Sequence, residues 1–332
     1  MKNGIYIYGI IRAGGAREFG NIGIGESATS IVTLAFRDIA AVVSESPLTL
    51  YDSLAKEKTI KDLMTHQFVL ERVMAGATVL PVKFGTQVET EQEVIPFLEK
   101  GYALLSEELR KMEGKIELDV VAQWELPKVM AAVYRDNPHI QSKQRQFAQQ
   151  GGRVAVEEKV SLGQLVAQAL ATRKASSIDL IMRTLKEQAQ GLCLHDVAHD
   201  EMILNAAFLL EKQREGAFHD AVTLLDQKLE DTVNFRVVGP LPAYSFSTIL
   251  LEKIDRRSFE EAREALGLHG EITAKTVREA YRRLAQKSHP DTGGGEHTQD
   301  FSRLHTAYRT LKHVAEHGMT RVEVYRRDQD LP

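Results

Sequence analysis

The segment AYRRLAQKSHPDTGGG, residues 280–295, joins the end of a basic helical pattern to the tripeptide His289-Pro290-Asp291 and a run of three glycines. Pro290 disfavours helical geometry at His289 and cannot donate the backbone hydrogen bond that would continue a helix. The glycines of residues 293–295 favour a loop. The segment therefore predicts that a helix ends at the tripeptide and that a loop leads into a second helix.

The helix before the tripeptide is predicted over residues 273–288, with Thr273 as its N-cap because a threonine hydroxyl accepts from first-turn amides. Apolar side chains recur on one face at helical spacing, and the pattern weakens at its last turn. The remaining surface is basic and carries one acid, Glu279. The apolar face consists of Val277, Tyr281, Leu284 and Ser288, and the basic residues are Lys275, Arg278, Arg282, Arg283 and Lys287.

A second apolar stripe follows the glycine loop, again at the spacing of a helix. Two antiparallel helices could close these stripes on each other, with a short helix over residues 259–266 as a lid. We therefore predict a small all-helical domain at residues 255–320 and a tail at residues 321–332. The second stripe consists of Phe301, Leu304, Tyr308 and Leu311, and the lid residues are Ala265, Leu266 and Leu268.

This helical domain resembles the J domain of Hsp70 co-chaperones over about residues 259–315. In that family the basic helix and the tripeptide dock on Hsp70 and trigger its ATP hydrolysis. The sequence departs from the family at Ser288, where an aromatic residue is usual, and in its first helix, which lacks the usual paired aromatics. The resemblance implies an Hsp70-binding site composed of His289, Pro290, Asp291, Lys275, Arg278, Arg282, Arg283 and Lys287.

Two other interpretations of the basic helix compete with Hsp70 docking. Most charge runs are the solvated face of a helix, and a basic face can also bind nucleic acid. From Lys253 onward the chain carries fifteen Lys and Arg against thirteen Asp and Glu, a low net charge of +2 for a nucleic-acid-binding module. We expect no nucleic-acid partner, and we prefer Hsp70 docking because helix, tripeptide, loop and second helix occur together.

The composition of the 332 residues, 43% hydrophobic and 27% charged, is typical of a soluble globular protein with two or three domains. The formal net charge of −4 predicts no general affinity for polyanions. The one cysteine, Cys193, excludes an internal disulfide framework and suits a reducing compartment. No apolar run approaches the roughly 18 residues that span a bilayer, and no signal-peptide pattern precedes the first strand pattern. We expect a cytoplasmic protein with no membrane partner.

Residues 1–112 predict an α+β domain of ferredoxin-like type. Its strands are rich in β-branched and aromatic residues, and Arg37-Asp38 is the expected hairpin turn. Two long helices would cover the sheet. The predicted strands are residues 5–11, 31–36, 39–44 and 78–82, and the predicted helices are residues 52–74 and 89–109.

Residues 113–250 predict a second ferredoxin-like α+β domain, with the order β-α-β-β-α-β and a long helical insert. His199-Asp200-Glu201 is the expected hairpin turn. The unit should end at residues 239–242, Gly-Pro-Leu-Pro, because two prolines forbid continued strand pairing. The predicted strands are residues 116–124, 192–198, 202–210 and 233–238, and the predicted helical stretches are residues 127–190 and 215–230.

Short motifs occur along these two domains: YG at 8–9, IAAVVS at 39–44, TVLPVKFGT at 78–86, GKIE at 114–117, NAAFLL at 205–210 and RVVGPLPAYSF at 236–246. In this order they resemble the GvpL/GvpF family of gas vesicle proteins over nearly all of residues 1–250. The last motif departs from the family at Leu241, where Trp is usual, and at Ala243, where Pro is usual.

This second resemblance implies an accessory protein of gas vesicle assembly that binds the small apolar shell subunit before it polymerises. A subunit that lines a water-excluding wall exposes enough apolar surface to aggregate, and an attached J domain would supply its release by recruiting Hsp70. We expect association with gas vesicles, and the shell subunit, other accessory proteins and Hsp70 as partners. The alternative is a minor structural component of the vesicle wall or nucleation complex, with the J domain used only as a scaffold.

Catalytic, metal and cofactor sites find less support in the sequence. Cys193, His195, Asp196 and His199 suggest a metal site, but an extended strand would separate the two histidines by roughly 13 Å at about 3.3 Å per residue. One ion cannot bridge that distance, and a metal-dependent hydrolase would require stoichiometric metal. His66 lacks a paired Ser, Cys or acid, and the glycine motifs of nucleotide-binding sites do not occur. We therefore predict no catalytic residue, metal or cofactor, and no enzyme.

Overall fold

The computed structural model describes residues 3–14, 19–25, 29–51, 56–149, 154–230, 232–286 and 297–327. The chain divides into two compact units. The first combines Met1–Lys111 with Thr248–Tyr325, and the second is built on Met112–Ser247. The C-terminal helical region therefore belongs to the same unit as the N-terminal sheet. Within the described ranges, no helix has both the length and the apolar character that crossing a membrane requires.

The N-terminal sheet is built around β1 (Asn3–Arg12), whose residues 4–11 are all buried. The strands that follow are β2 (Asn21–Gly23), β3 (Thr29–Ser30), β4 (Val32–Phe36), β5 (Ile39–Pro47), β6 (Val79–Pro81) and β7 (Gln87–Val88). The sheet has the order β4-β5-β1-β6 with antiparallel neighbours, β7 also pairs with β1, and β2 pairs with β3. The predicted turn between β4 and β5 is confirmed, and Arg37 there has a φ of 56°.

Two helices complete this part of the first unit, α1 (Lys56–Met74) and α2 (Ile95–Met112). Helix α1 packs on β1 and β6 and buries Val69, Leu70 and Val73. The main elements follow the predicted order β-β-β-α-β-α, so the α+β class is confirmed, and the ferredoxin-like type of this domain stays a prediction.

The second unit has the predicted order β-α-β-β-α-β, in a sheet of order β11-β8-β10-β9 with antiparallel neighbours. The single predicted helical stretch is divided into three helices, and one break falls at Asn137, before a proline. The elements are β8 (Lys115–Trp124), α3 (Leu126–Asp136), α4 (Pro138–Gln149), α5 (Val156–Lys186), β9 (Gly191–Leu194), β10 (Met202–Glu211), α6 (Glu215–Lys228), β11 (Val233–Leu241) and α7 (Tyr244–Ser247).

The end of β11 differs from the prediction. We expected the prolines to stop the pairing at Gly239, but Leu241 still pairs with Glu117 of β8. The register shifts between Val238 and Leu241. Pro240 therefore lies in an irregularity of the strand pairing, where no backbone N–H is required from it.

The helical domain is inserted between two paired strands, β12 (Thr248–Lys253) and β13 (Thr320–Tyr325). We expected residues 321–332 to form a tail, and this is wrong for residues 321–325 because they lie in β13. Ile249 of β12 also forms an isolated parallel bridge with Val82, the residue after β6, so the hairpin lies beside the N-terminal sheet. The helices between the strands are α8 (Arg256–Leu266), α9 (Ala274–Ala285) and α10 (His297–His317).

The three helices close their apolar faces on one core, as predicted. Val277 and Leu311 are fully buried at its centre, with Leu266 of α8 as the lid. Tyr281, Leu284, Leu304 and Tyr308 pack around them and are partly buried. Ser288 lies outside the described residues, as does the side chain of Phe301.

Candidate functional site

The basic face of α9 lies opposite the face that packs in the helical core. A capping box starts the helix, since the Thr273 hydroxyl accepts from the Thr276 amide and the Thr276 hydroxyl accepts from the Thr273 amide. Val277 and Ala280 are buried, while the four described cations of the predicted site point to solvent. Those four cations are Lys275, Arg278, Arg282 and Arg283.

The charges of this face are not neutralised within the part of the chain that the structure describes. None of its four cations forms an ion pair there, and Glu279, which lies on the same side of the helix, has no ion-pair partner there either. Unpaired guanidinium and ammonium groups on a rigid helix can form charge-assisted hydrogen bonds with carboxylates of a partner. The arrangement is suited to docking on an acidic protein surface.

The remaining residues of the predicted site, Lys287, His289, Pro290 and Asp291, lie outside the described residues. Helix α9 ends at Ala285 with Gln286 as its C-cap, immediately before this segment. The cations of α9 are therefore placed by the structure, and the role of the tripeptide stays a prediction.

A buried cluster in the N-terminal domain holds the loop of the TVLPVKFGT motif. The Tyr6 hydroxyl accepts from the Gly85 amide at 2.9 Å and forms a hydrogen bond with Nδ1 of His66, 3.0 Å away. The rings of Tyr8 and Phe84 lie with their centroids 5.7 Å from that of His66. His66 is fully enclosed, and burial lowers its pKa to about 4. This histidine stabilises the loop from the core, in agreement with the non-catalytic interpretation of the sequence.

The residues that suggested a metal site do not assemble one. Within the described ranges, no group of three or more His, Cys, Asp and Glu side chains is placed to hold an ion. His195 contacts the Ser245 hydroxyl through Nε2 at 3.1 Å, and Cys193 is buried. The strand ends at Leu194, so both histidines lie beyond it, whereas we predicted a strand that continues to residue 198.

Sequence reasoning missed a buried acid in this unit, Glu117 of β8. Its carboxyl accepts from both the amide and the hydroxyl of Ser245 at 2.8 Å. Burial, and then the neighbouring Asp119 carboxylate, raises the pKa of Glu117 to about 8. Glu117 lies on the sheet face opposite the apolar residues Ile116 and Leu118, and only that alternation could have revealed it.

Comparison with known proteins assigns both parts of the chain. Residues 4–248 match the family described as gas vesicle synthesis protein GvpL/GvpF. The chain belongs to the GvpL/GvpF family. Residues 263–317 match the DnaJ domain, so this family member carries a J domain, and α9 is its basic helix.

Relatives of this GvpL/GvpF protein include gas vesicle proteins F. The one from Streptomyces sp. (strain CB03234) is 32% identical over 244 residues, which are 73% of this chain and 98% of the relative. The one from Nostoc sp. (strain PCC 7120 / SAG 25.82 / UTEX 2576) is 29% identical over 258 residues, 75% of this chain and 100% of the relative. About three quarters of this chain therefore aligns with almost the full length of these two relatives.

Solved structures agree with this assignment. The crystal structure of GvpF from Anabaena sp. PCC7120 aligns with a TM-score of 0.59 and 27% identity, covering 73% of this chain and 97% of that one. GvpF from Microcystis aeruginosa aligns with a TM-score of 0.54, covering 73% and 98%. The J domain lies C-terminal to the region that matches the family model.

Proposed function

We propose that this GvpL/GvpF protein binds the apolar gas vesicle shell subunit before polymerisation and recruits Hsp70 through its J domain. The observation that carries the proposal is the exposed basic face of α9, unpaired among the described residues, on a chain whose residues 4–248 match a gas vesicle family. Recruitment of Hsp70 would couple ATP hydrolysis to release of the subunit. The protein itself then needs no catalytic group.

An exposed apolar stripe on α1 supports binding of an apolar subunit. Ile60, Leu63, Met64 and Phe68 recur at helical spacing, and Met64 and Phe68 are 67% and 55% exposed. Contiguous exposed apolar side chains are typical of surfaces that bind another protein. We therefore place the contact with the shell subunit on this face.

Hsp70 recruitment is tested by single-turnover ATP hydrolysis with the host's Hsp70. We expect stimulation by the wild type, its loss in His289→Gln, and a several-fold weaker effect in Arg282→Glu. The control is Arg257→Glu, an exposed charge of α8 outside the basic face, which should leave stimulation unchanged. Stimulation should decline between about 50 mM and about 500 mM salt, because surface charge attraction is screened. Absence of stimulation with every host Hsp70 would contradict the recruitment mechanism.

Shell binding is tested by co-expression with the shell subunit and sedimentation of the lysate. The wild type should keep more subunit in the supernatant than Met64→Glu/Phe68→Glu, because two charges on the stripe oppose apolar contact. Leu224→Glu, which changes an exposed leucine of α6, is the matched control. Equal sedimentation in all three would refute the assignment of the stripe.

Fractionation separates this proposal from a structural role. A chaperone leaves the finished vesicle, so washed vesicles should carry little of the protein. Retention at a constant ratio to the shell subunit after washing would instead favour a minor wall or nucleation component, with the J domain as a scaffold.

A further inference from the structure

Strand β12 continues past the end of its neighbour β6 and leaves part of one edge open. Val82 and Ile249 form a parallel bridge, and the Lys83 amide donates to the Ile249 carbonyl at 2.9 Å. The Lys83 carbonyl, which would continue the ladder, accepts instead from the amide and hydroxyl of Thr86. At Gly85 the backbone has a φ of +85°, and the loop turns away from β12.

The open edge consists of the backbone groups of Leu251 and Lys253. Alternate residues of a strand direct their N–H and C=O groups to opposite neighbours. The backbone N–H and C=O of Ile249 point towards Val82, the residue after β6. Those of Leu251 and Lys253 therefore point to the same side, while those of Leu250 and Glu252 point towards β13. Among the described residues, no backbone group pairs with Leu251 or Lys253 on that side.

This edge forms the floor of a cleft of about 670 Å³ within the first unit. The loop of residues 83–87, Tyr51 and α10 also line it. The residues of α10 that line it are Thr306, Arg309, Thr310 and His313.

The charges of the cleft favour an acidic occupant. Lys83 and Arg309 are exposed, and neither forms an ion pair with any other described residue. The other charges are already balanced, since Lys253 pairs with Glu93 at 2.7 Å and Glu252 pairs with Arg321 at 3.2 Å. Two uncompensated cations, Lys83 and Arg309, therefore line the same cleft as the open strand edge.

We propose that this cleft binds an extended acidic peptide segment of a partner protein, which adds to the edge of β12 as a further strand. Backbone hydrogen bonds to Leu251 and Lys253 give affinity, and carboxylates beside Lys83 and Arg309 give selectivity. The proposal depends neither on the shell-binding stripe nor on the basic face of α9. The competing explanation is that Lys83 and Lys253 only protect an edge strand from aggregation.

Peptide binding to the full chain tests the proposal by fluorescence polarisation. The probe is a labelled octapeptide of alternating valine and glutamate, and its counterpart has lysine in place of glutamate. We expect the acidic peptide to bind at least tenfold more tightly. Two acidic peptides that are N-methylated on alternate amides separate strand addition from charge attraction, because a strand presents only alternate amides to its neighbour. One methylated peptide should bind like the parent, and the other at least tenfold more weakly.

Variants locate the site. Lys83→Glu/Arg309→Glu should weaken the acidic peptide at least tenfold, whereas Lys128→Glu/Arg145→Glu, which reverses two exposed charges of α3 and α4, should not. Equal effects of both methylated peptides would overturn strand addition. No binding of the acidic peptide, or equal weakening by both double variants, would overturn the site and leave edge protection as the role of these lysines.

Discussion

Tyr281 of α9 stacks on Tyr308 of α10, with ring centroids 4.4 Å apart and planes inclined by 28°. Aromatic pairs of this geometry contribute about 0.5–1.5 kcal/mol beyond the area they bury. A double-mutant cycle with Tyr281→Leu and Tyr308→Leu should therefore give a coupling energy in that range, measured by urea unfolding. Additive effects of the two substitutions would show that the rings stabilise the J domain independently of each other.

The contact between α2 and β13 predicts an unusual effect of a glycine substitution. Gly101 lies in α2, and a Cβ there would stand 2.6 Å from Cγ1 of Val322. Replacing a helical glycine by alanine normally stabilises a helix by about 1 kcal/mol. Here Gly101→Ala should instead destabilise the first unit by about 1–3 kcal/mol through overpacking against a stiff β-branched side chain.

Restoration by a second substitution checks this contact. Gly101→Ala/Val322→Ala removes the clash, so it should be more stable than Gly101→Ala alone and should slow amide hydrogen exchange of β12 and β13 again. Val322→Ala by itself is the control for the lost valine methyl groups. A stabilised Gly101→Ala protein would contradict the packing of the J-domain hairpin on α2.

The sequence predicted the J domain well because local patterns determine it. Val277 and Leu311 occur at helical spacing within their own segments, and both are buried as that spacing requires. The hairpin that carries the domain could not be predicted in this way. Leu250 pairs with Glu323, and the whole J domain separates these two residues along the chain. Short strands that pair over such a distance have no local signature.

The candidate sites show the same division between local and tertiary information. Arg278 and Arg282 were assigned to a basic face by helical periodicity, and both are exposed on α9. Glu117 was missed because its environment is created by Ser245, which is far away in sequence. The open edge at Leu251 depends on where β6 ends, which is likewise a property of the assembled sheet.

His66 should make the first unit less stable in acid. Burial lowers its pKa to about 4 from the usual 6.5, so between these values the unfolded chain binds more protons than the folded one. Stability should therefore fall as the pH decreases from about 6.5 to about 4, by an amount on the order of 3 kcal/mol. Hydrogen exchange of β1 peptides measures this loss of stability, and His66→Gln, which can still form a hydrogen bond with Tyr6, should flatten the dependence. An unchanged slope in the variant would assign it to other groups.

Glu117 should have the opposite effect on the second unit. Its pKa is raised by burial, so the folded state holds a proton that the unfolded chain releases above the usual carboxyl pKa of 4.5. The stabilisation is complete below that value and should be lost as the pH rises towards about 8. Trp124, the one tryptophan of the chain, lies in this unit, so its fluorescence follows the unfolding of this unit in urea.

Glu117→Gln tests whether this carboxyl is responsible, because an amide keeps an acceptor for Ser245 and offers Asp119 a donor in place of the carboxyl proton. The variant should lose the decline in stability between pH 5 and pH 8, within about 0.5 kcal/mol of a flat profile. Glu211→Gln, which changes an exposed carboxyl of β10, should keep the wild-type profile. If both variants retain the decline, another group of the second unit holds the proton. Burial of Glu117 then does not cause the pH dependence of this unit's stability.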